Sequence, residues 1–61
     1  MQRFSTTTVK QFEYLVGALI GQGHAVEKVG RLRKVGRTDA PVEIIQEYAR
    51  RLHIAVTIGD V

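Results

Sequence analysis

The sequence predicts an α+β fold in which two helices pack on a small β-sheet. Three observations support this class: apolar residues recur at helical spacing in two separate stretches, they alternate with period two near the C-terminus, and a repeated glycine-containing tetrapeptide lies between the helical stretches. Residues 1–61 are predicted to form a single small domain. A chain of this length buries only ~60% of its unfolded surface, so its core is expected to be marginal.

The first helix is predicted over residues 9–22. Thr8 and Gln11 have the spacing of a capping box, in which the two side chains satisfy backbone donors at a helix start. Gly21 and Gly23 provide the stop, because glycine readily takes the left-handed conformation that closes a helix. The predicted buried face consists of six apolar residues: Val9, Phe12, Leu15, Val16, Leu19 and Ile20.

The second helix is predicted to begin near Ala40. Asp39 is a good N-cap residue, and Pro41 is tolerated in a first helical turn. The predicted buried face again follows helical spacing: Val42, Ile45, Tyr48, Ala49 and Leu52.

A short strand is predicted after Leu52, where the apolar period changes to two. Ile54, Val56 and Ile58 alternate with smaller residues, and no charge occurs before Asp60. An apolar edge without a charged residue invites pairing with a second copy of the chain. The sequence therefore predicts a homodimer with Ile54, Val56 and Ile58 at its interface.

Residues 24–37 are the ambiguous stretch. A helix there would contain Gly30 at a cost of ~1 kcal/mol relative to Ala, and its apolar residues would cover about half the circumference. Lys-Val-Gly-Arg occurs twice, at residues 28–31 and 34–37, and two glycines six residues apart suit a twisted ribbon. We predict a basic β-ribbon between the helices, with a three-helix bundle as the alternative. Residues 3–7 are predicted as a brief edge strand or an ordered arm.

Residues 28–37, the basic segment, hold the positive excess of the protein. They contain five of the nine Lys and Arg residues and none of the six Asp and Glu residues, in a chain of formal net charge +3. Cations that neutralise phosphates release counterions, which supplies most of the affinity of non-specific nucleic-acid binding. The predicted nucleic-acid-binding residues are Lys28, Arg31, Arg33, Lys34 and Arg37, with Arg50 and Arg51 extending the patch.

Duplex DNA or structured RNA is the predicted target. Single-stranded nucleic acid is usually bound by stacking on aromatic rings, and none of the four aromatic residues lies within the basic segment. The predicted combination of a compact helical unit with a terminal dimerising strand resembles that of small phage repressors. We therefore expect a phage or plasmid-type transcription regulator. The alternative is a non-enzymatic interaction module or inhibitor that docks its basic patch on an acidic partner protein, and a structural subunit of a larger assembly is a third possibility.

No enzymatic constellation is present in the sequence. The single Ser is at position 5, and Glu43 and Glu47 fall on the predicted polar face of the second helix. The chain has no Cys, and His24 and His53 are too few for a His-only metal site. We therefore predict no catalytic residue, metal or cofactor.

A cytoplasmic protein with no membrane partner is expected. The longest apolar run, residues 15–20, is far shorter than the ~20 residues of a bilayer-spanning helix. The N-terminus is followed by no apolar core of a signal peptide.

Two stretches resemble nucleic-acid-binding families. Residues 16–24 resemble the approach to the Gly-x-x-Gly loop of a KH domain, which clamps a nucleic-acid backbone, although His24 stands at the fourth loop position. Residues 45–54 resemble the first helix and turn of a helix-turn-helix, with Ala49 where that motif packs its helices. A recognition helix would begin near Ala55, where the alternation of apolar residues favours a strand instead. Neither resemblance assigns the chain to a family.

Overall fold

A computed structural model describes residues 1–31 and 33–60. The elements in chain order are β1 (Gln2–Thr6), α1 (Val9–Gly21), β2 (Val26–Val29), β3 (Val35–Thr38), α2 (Val42–Arg51) and β4 (Val56–Asp60). The predicted α+β class is confirmed. Most of the ambiguous stretch forms the β2–β3 hairpin, so the three-helix alternative is wrong.

The four strands form one antiparallel sheet in the order β2-β3-β1-β4. β1 and β3 are the inner strands, while β2 and β4 lie at the two edges. This βαββαβ arrangement is the split βαβ topology of ferredoxin-like domains. Many unrelated functions use that topology, so function has to be argued from the side chains.

One face of the sheet packs against the helices and the other is uncovered. Side chains alternate between the two faces along a strand, and directly paired residues share a face. Phe4 is buried on the helix side, so its neighbours Arg3 and Ser5 point to the other side. The strand register places eight residues on this open face, in two rows across the sheet: Glu27, Arg37, Arg3 and Gly59, then Val29, Val35, Ser5 and Thr57.

The core lies between the helix face of the sheet and the two helices. Phe4 of β1 and Phe12 of α1 stack with their ring centroids 5.2 Å apart. Gly36 of β3 lies against both rings, and a Cβ atom at this position would be 2.9 Å from Phe12 and 3.1 Å from Phe4. The buried apolar residues are Phe4, Phe12, Leu15, Val16, Leu19, Ala40, Ile45, Ala49 and Ile54.

Helix α1 begins and ends close to the predicted positions. The Gln11 N–H donates to the Thr8 hydroxyl at 3.2 Å, but the Gln11 side-chain oxygen has no partner, so only half of the predicted capping box forms. At the other end Gly23 takes φ 90°, and the N–H of His24 donates to the Leu19 carbonyl at 3.1 Å. This is the Schellman pattern, in which a left-handed residue closes the helix.

The predicted N-cap of α2 is wrong. The helix begins at Val42 with Pro41 in the cap position, so Asp39 lies too far back along the chain to cap it. The Asp39 carboxylate instead accepts a hydrogen bond from the Ala25 N–H at 3.2 Å and lies 3.3 Å from Nδ1 of His24. Asp39 therefore joins the turn after α1 to the turn before α2.

His53 ends helix α2 in a left-handed conformation, with φ 57°. Its N–H donates to Arg50 at 3.2 Å, and the Ile54 N–H donates to Ala49 at 2.7 Å, which again is the Schellman pattern. The turn directs Ile54 into the core, where it is only 9% exposed. His53 thus has a structural role at a position that usually requires glycine.

The helical periodicity identified most of the buried positions. Three of the apolar residues predicted to be inside are exposed at the helix ends: Val9, Ile20 and Leu52. Ile44, which was not predicted, packs partly buried against the core. The buried face of each helix is therefore shorter than its apolar residues suggest, and that of α2 also includes Ile44.

Candidate nucleic-acid interface

The basic segment does not form a single surface. Strand alternation sends Lys28 to the helix side of the sheet, where its Nζ donates to Oε2 of Glu13 at 2.8 Å. Arg37 lies on the open face. Arg31 lines the same groove on that face as Arg37. The structure therefore divides the predicted cations between two sides of the sheet.

Glu13 of α1 forms an ion pair with Lys28 on the helix side of the sheet. The hydrogen bond from Lys28 lowers the pKa of the Glu13 carboxyl, with weaker contributions from the charges of Lys28 and Lys34, and desolvation opposes the shift. The pair is exposed to solvent and adds little to stability. Its consequence is electrostatic, because a carboxylate beside Lys28 and Lys34 weakens the attraction of both cations for a phosphate.

Arg3 is the functional candidate that sequence reasoning missed. It lies on β1 outside the basic segment, yet it lines a shallow groove of about 300 Å³ on the open face. The groove is formed by Arg3, Glu27, Val29, Arg31, Val35 and Arg37. The sequence held the necessary signal, since an inward Phe4 requires an outward Arg3 if residues 3–7 form a strand rather than an arm.

Arg3 and Arg37 are directly opposite each other in neighbouring strands. Opposed positions bring Cβ atoms to about 4.5–5.5 Å, where like charges destabilise a sheet. Within residues 1–31 and 33–60, the ion pairs are His24 with Asp39, Lys28 with Glu13, and Arg51 with Glu47. Glu27 of the neighbouring strand β2 is also directly opposite Arg37, but the two side chains do not form an ion pair. Both guanidinium groups are therefore available to an external anion.

Arg33 occupies a separate position at the end of the open face. It lies in the β2–β3 loop and lines a cavity of about 180 Å³ with residues of β1, of the β1–α1 connection and of the start of β4. The other lining residues are Ser5, Thr6, Thr7, Ala55, Val56 and Thr57. Four of the described lining residues carry a hydroxyl group, whereas the described lining of the groove at Arg3 has none.

Arg50 and Arg51 lie in the helix layer, on α2, and do not extend the open face. Nη2 of Arg51 donates to Oε1 of Glu47 at 3.0 Å, and its guanidinium carbon is 5.8 Å from the ring centroid of Tyr48. Arg51 is thus engaged within its own helix.

None of the four aromatic residues, all within the part of the chain that the structure describes, lies on the open face. Phe4 and Phe12 are buried, Tyr48 is partly buried on α2, and Tyr14 is exposed on the outer side of α1. The face consequently lacks the stacking platform on which four-stranded RNA-binding sheets hold single-stranded bases.

The residues predicted for a dimer interface fall into two groups. Val56 and Ile58 lie on edge strand β4, partly buried on its helix side. Ile54 precedes β4 and belongs to the core of the single chain. Of the three residues, Val56 and Ile58 therefore lie at the edge of the sheet.

Other sites were sought in the part of the chain that the structure describes. No group of three or more acidic or His side chains there is arranged to hold a metal ion. Neither α1 nor α2 combines the length and apolar character needed to cross a bilayer. Comparison of the chain with protein-family models, with curated proteins and with solved structures finds no match.

Proposed function

We propose that this protein binds nucleic acid through phosphate contacts on the open face of its sheet. The observation that carries the proposal is the placement of Arg3 and Arg37 opposite each other on an uncovered surface, with Arg31 lining the same groove. A pair of like charges costs stability within the chain and gains a favourable partner only when an anion binds. Arg is suited to this task because its planar fork donates two parallel hydrogen bonds to a phosphate.

The proposed target is duplex DNA or structured RNA. Without rings for stacking, the face offers two guanidinium groups beside the Glu27 carboxylate in one row, and Val and hydroxyl side chains in the other. Four strands at 4.7–4.9 Å spacing make a surface roughly 14 Å wide between the outer strand axes, on which a phosphate backbone can lie. Phosphate contacts of this kind fix position and are largely independent of base sequence.

A regulatory role in the cytoplasm is part of the same proposal. The chain resembles small regulators in size and in its concentration of positive charge, and the proposed site contains no catalytic group. Transcription regulation by a phage or plasmid-type protein is the process we infer.

The double variant Arg3→Gln/Arg37→Gln tests the proposed site. We expect its affinity for mixed-sequence duplex DNA or structured RNA to fall roughly tenfold for each lost charge-assisted contact. The slope of log K against log salt should become shallower by about 0.9 per lost contact on B-form DNA. Binding is measured by fluorescence anisotropy over a salt series.

Lys10→Gln/Arg50→Gln is the matched control, because it removes the same charge from exposed positions in the helix layer. It should retain nearly the wild-type affinity and slope. Equal losses in the two variants would show that net charge matters and the open face does not. If the folded wild type binds neither polymer at low salt, the proposal is wrong, and competition with acidic proteins then tests the alternative of an acidic protein partner.

We also propose that the protein is a homodimer formed by pairing of β4 with β4 of a second copy. β4 pairs with β1 on one side only, and it has no charged residue before Asp60. The opposite edge, β2, carries Glu27 and Lys28, which discourage strand addition. Pairing of identical edges about a two-fold axis also closes the assembly at two copies.

The proposed dimer joins two open faces into one surface. Antiparallel pairing of the β4 strands gives a continuous eight-stranded sheet, because each copy contributes four strands. Three strand spacings then separate the two β1 strands, so the Arg3 rows lie roughly 14 Å apart across the sheet. Dimer formation would thereby double the number of phosphate contacts that one ligand can make.

Backbone N-methylation provides a test, since a chain of 61 residues is accessible to chemical synthesis. Successive residues of an edge strand direct their N–H groups to opposite sides. One of the N–H groups of Thr57 and Ile58 therefore points to β1 and the other to the proposed second copy. Methylation of the first should destabilise the monomer, and methylation of the second should prevent pairing and leave a stable monomer. Sedimentation equilibrium and thermal unfolding distinguish these results. A wild type that is monomeric at high concentration, or a dimer that survives both changes, would contradict β4 pairing.

A further inference from the structure

We infer that Arg33 and the hydroxyl groups of Ser5, Thr7 and Thr57 form a binding site for a terminal phosphate group, a phosphomonoester. The site lies at the end of the open face, and its assignment to a nucleic-acid strand rests on the proposed function. It is separate from the groove of Arg3, Arg31 and Arg37, with which it shares no lining residue.

The cavity has the size and charge for a small anion. Its volume of about 180 Å³ is several times the ~30 Å³ that one water molecule occupies. Among the described residues that line it, Arg33 is the single charged one and none carries a carboxylate. A small anion entering it therefore meets one positive charge and no opposing negative one.

The hydroxyl groups at the cavity are available as donors. Ser5 and Thr57 are paired across β1 and β4 on the open face. The Thr6 hydroxyl donates to the Thr8 carbonyl at 2.9 Å. Within residues 1–31 and 33–60, the side-chain hydrogen bonds do not involve the hydroxyls of Ser5, Thr7 or Thr57. Each of these three groups can donate one hydrogen bond to a bound oxygen.

Arg33 is held close to these hydroxyls by the sheet. It lies two residues before Val35, the first residue of β3, and Val35 pairs with Ser5. The exposed guanidinium forms no ion pair with a carboxylate of the described residues. One guanidinium fork and three hydroxyls match the several acceptor oxygens of a phosphate better than the two oxygens of a carboxylate.

The position of the cavity favours a chain end over an internal phosphate. Its lining includes residues 6–7 and 55–56, which lie beyond the row of Ser5 and Thr57 on the open face. Ser5 is two residues from Arg3 along β1, a separation of ~7 Å. A strand whose backbone contacts Arg3 and Arg37 can therefore place its terminal phosphate at Arg33.

The experiment compares oligonucleotides of one sequence with 5′-phosphate, 3′-phosphate or hydroxyl ends. Wild type should bind one phosphorylated form about tenfold tighter than the hydroxyl form, the effect of one charge-assisted contact. Arg33→Gln should remove this preference, and Thr57→Val, which lacks only the hydroxyl donor, should reduce it. Arg3→Gln/Arg37→Gln should weaken binding of all three forms equally and keep the ratio, which separates this site from the proposed backbone interface.

Inorganic phosphate provides a readout that does not require nucleic acid. Titration followed by NMR should shift the backbone amide signals of Ser5, Arg33 and Thr57 saturably in wild type, and not in Arg33→Gln. Shifts in a wild type that binds all three oligonucleotides equally well would assign the site to free phosphate and overturn the terminal-phosphate assignment. Absence of both the shifts and the end preference, or a preference that survives Arg33→Gln, would overturn the site itself. Phosphate shifts in a wild type that binds none of the three oligonucleotides would refute the backbone interface and the assignment to a nucleic-acid end, and would leave Arg33 as a site for free phosphate.

Discussion

Replacement of Phe12 by alanine is expected to remove a large part of the free energy of unfolding. Phe12 is fully buried and stacks on Phe4 at 5.2 Å between ring centroids. Truncation of a buried Phe to Ala usually costs about 3–5 kcal/mol. At 0.05–0.15 kcal/mol per residue, the whole domain has only roughly 3–9 kcal/mol of unfolding free energy. Urea titration followed by circular dichroism measures the loss.

Tyr14→Ala is the matched control for Phe12→Ala. Tyr14 is an aromatic residue on the same helix, but its side chain is 68% exposed. Its removal should change the free energy of unfolding by less than about 0.5 kcal/mol. If the two variants lose equal stability, the inward face of α1 is not the one described above.

Helical and strand periodicity predicted the fold class because the core residues of each element recur at regular spacing along the chain. Phe12, Leu15 and Leu19 follow one helical stripe, and Val56 and Ile58 alternate on one face of β4. The hairpin was predicted from the repeated tetrapeptide, although no alternation was visible there. The strands of that hairpin are short, at four residues each, and one of them carries the exposed Glu27 and Lys28, which breaks the expected pattern.

The candidate site was only partly predictable, because it depends on pairing between distant strands. The cluster of charge in sequence suggested one surface from residues 28–37. Side-chain alternation instead separates Lys28 from Arg37, and the pairing of β1 with β3 brings Arg3 to Arg37. Arg3 lies beside Arg37 only because β1 and β3 are neighbours in the sheet. A single sequence does not specify which strands are neighbours, because the connections through α1 and α2 permit several strand orders.

The His53 turn was beyond sequence reasoning for a different reason. A left-handed residue at a helix end is usually Gly, and α1 has Gly23 in that position. α2 uses His53 instead, at φ 57°. Tertiary packing stabilises this conformation, because it places Ile54 in the core.

Gly36→Ala is expected to destabilise the protein by about 1–3 kcal/mol, the usual cost of forcing an extra methyl group into a packed core. An added Cβ would meet the Phe12 ring at 2.9 Å, the Glu27 carbonyl oxygen at 3.1 Å and the Phe4 ring at 3.1 Å. The carbonyl belongs to the backbone of β2 and the two rings are stacked on each other, so neither can move aside easily. Thermal unfolding should show a melting temperature lower by roughly 5–20 °C, since 1 kcal/mol corresponds to about 4–8 °C in a domain of this size.

Gly30→Ala provides the matched control, because Gly30 and Gly36 hold the same position in the two copies of the Lys-Val-Gly-Arg repeat. A Cβ atom at Gly30 would have no neighbour within 4 Å, and the residue is not in the left-handed region. Alanine there should be neutral or stabilise the protein by up to about 1 kcal/mol, through a smaller entropy of the unfolded chain. The tetrapeptides are identical, so a difference between the variants arises from the folded surroundings of each glycine: Gly36 lies within β3 beneath the two rings, and Gly30 lies after the end of β2. Equal melting temperatures would mean that Gly36 does not lie beneath the two rings, and that the face assignment placing Arg3 and Arg37 outward is wrong.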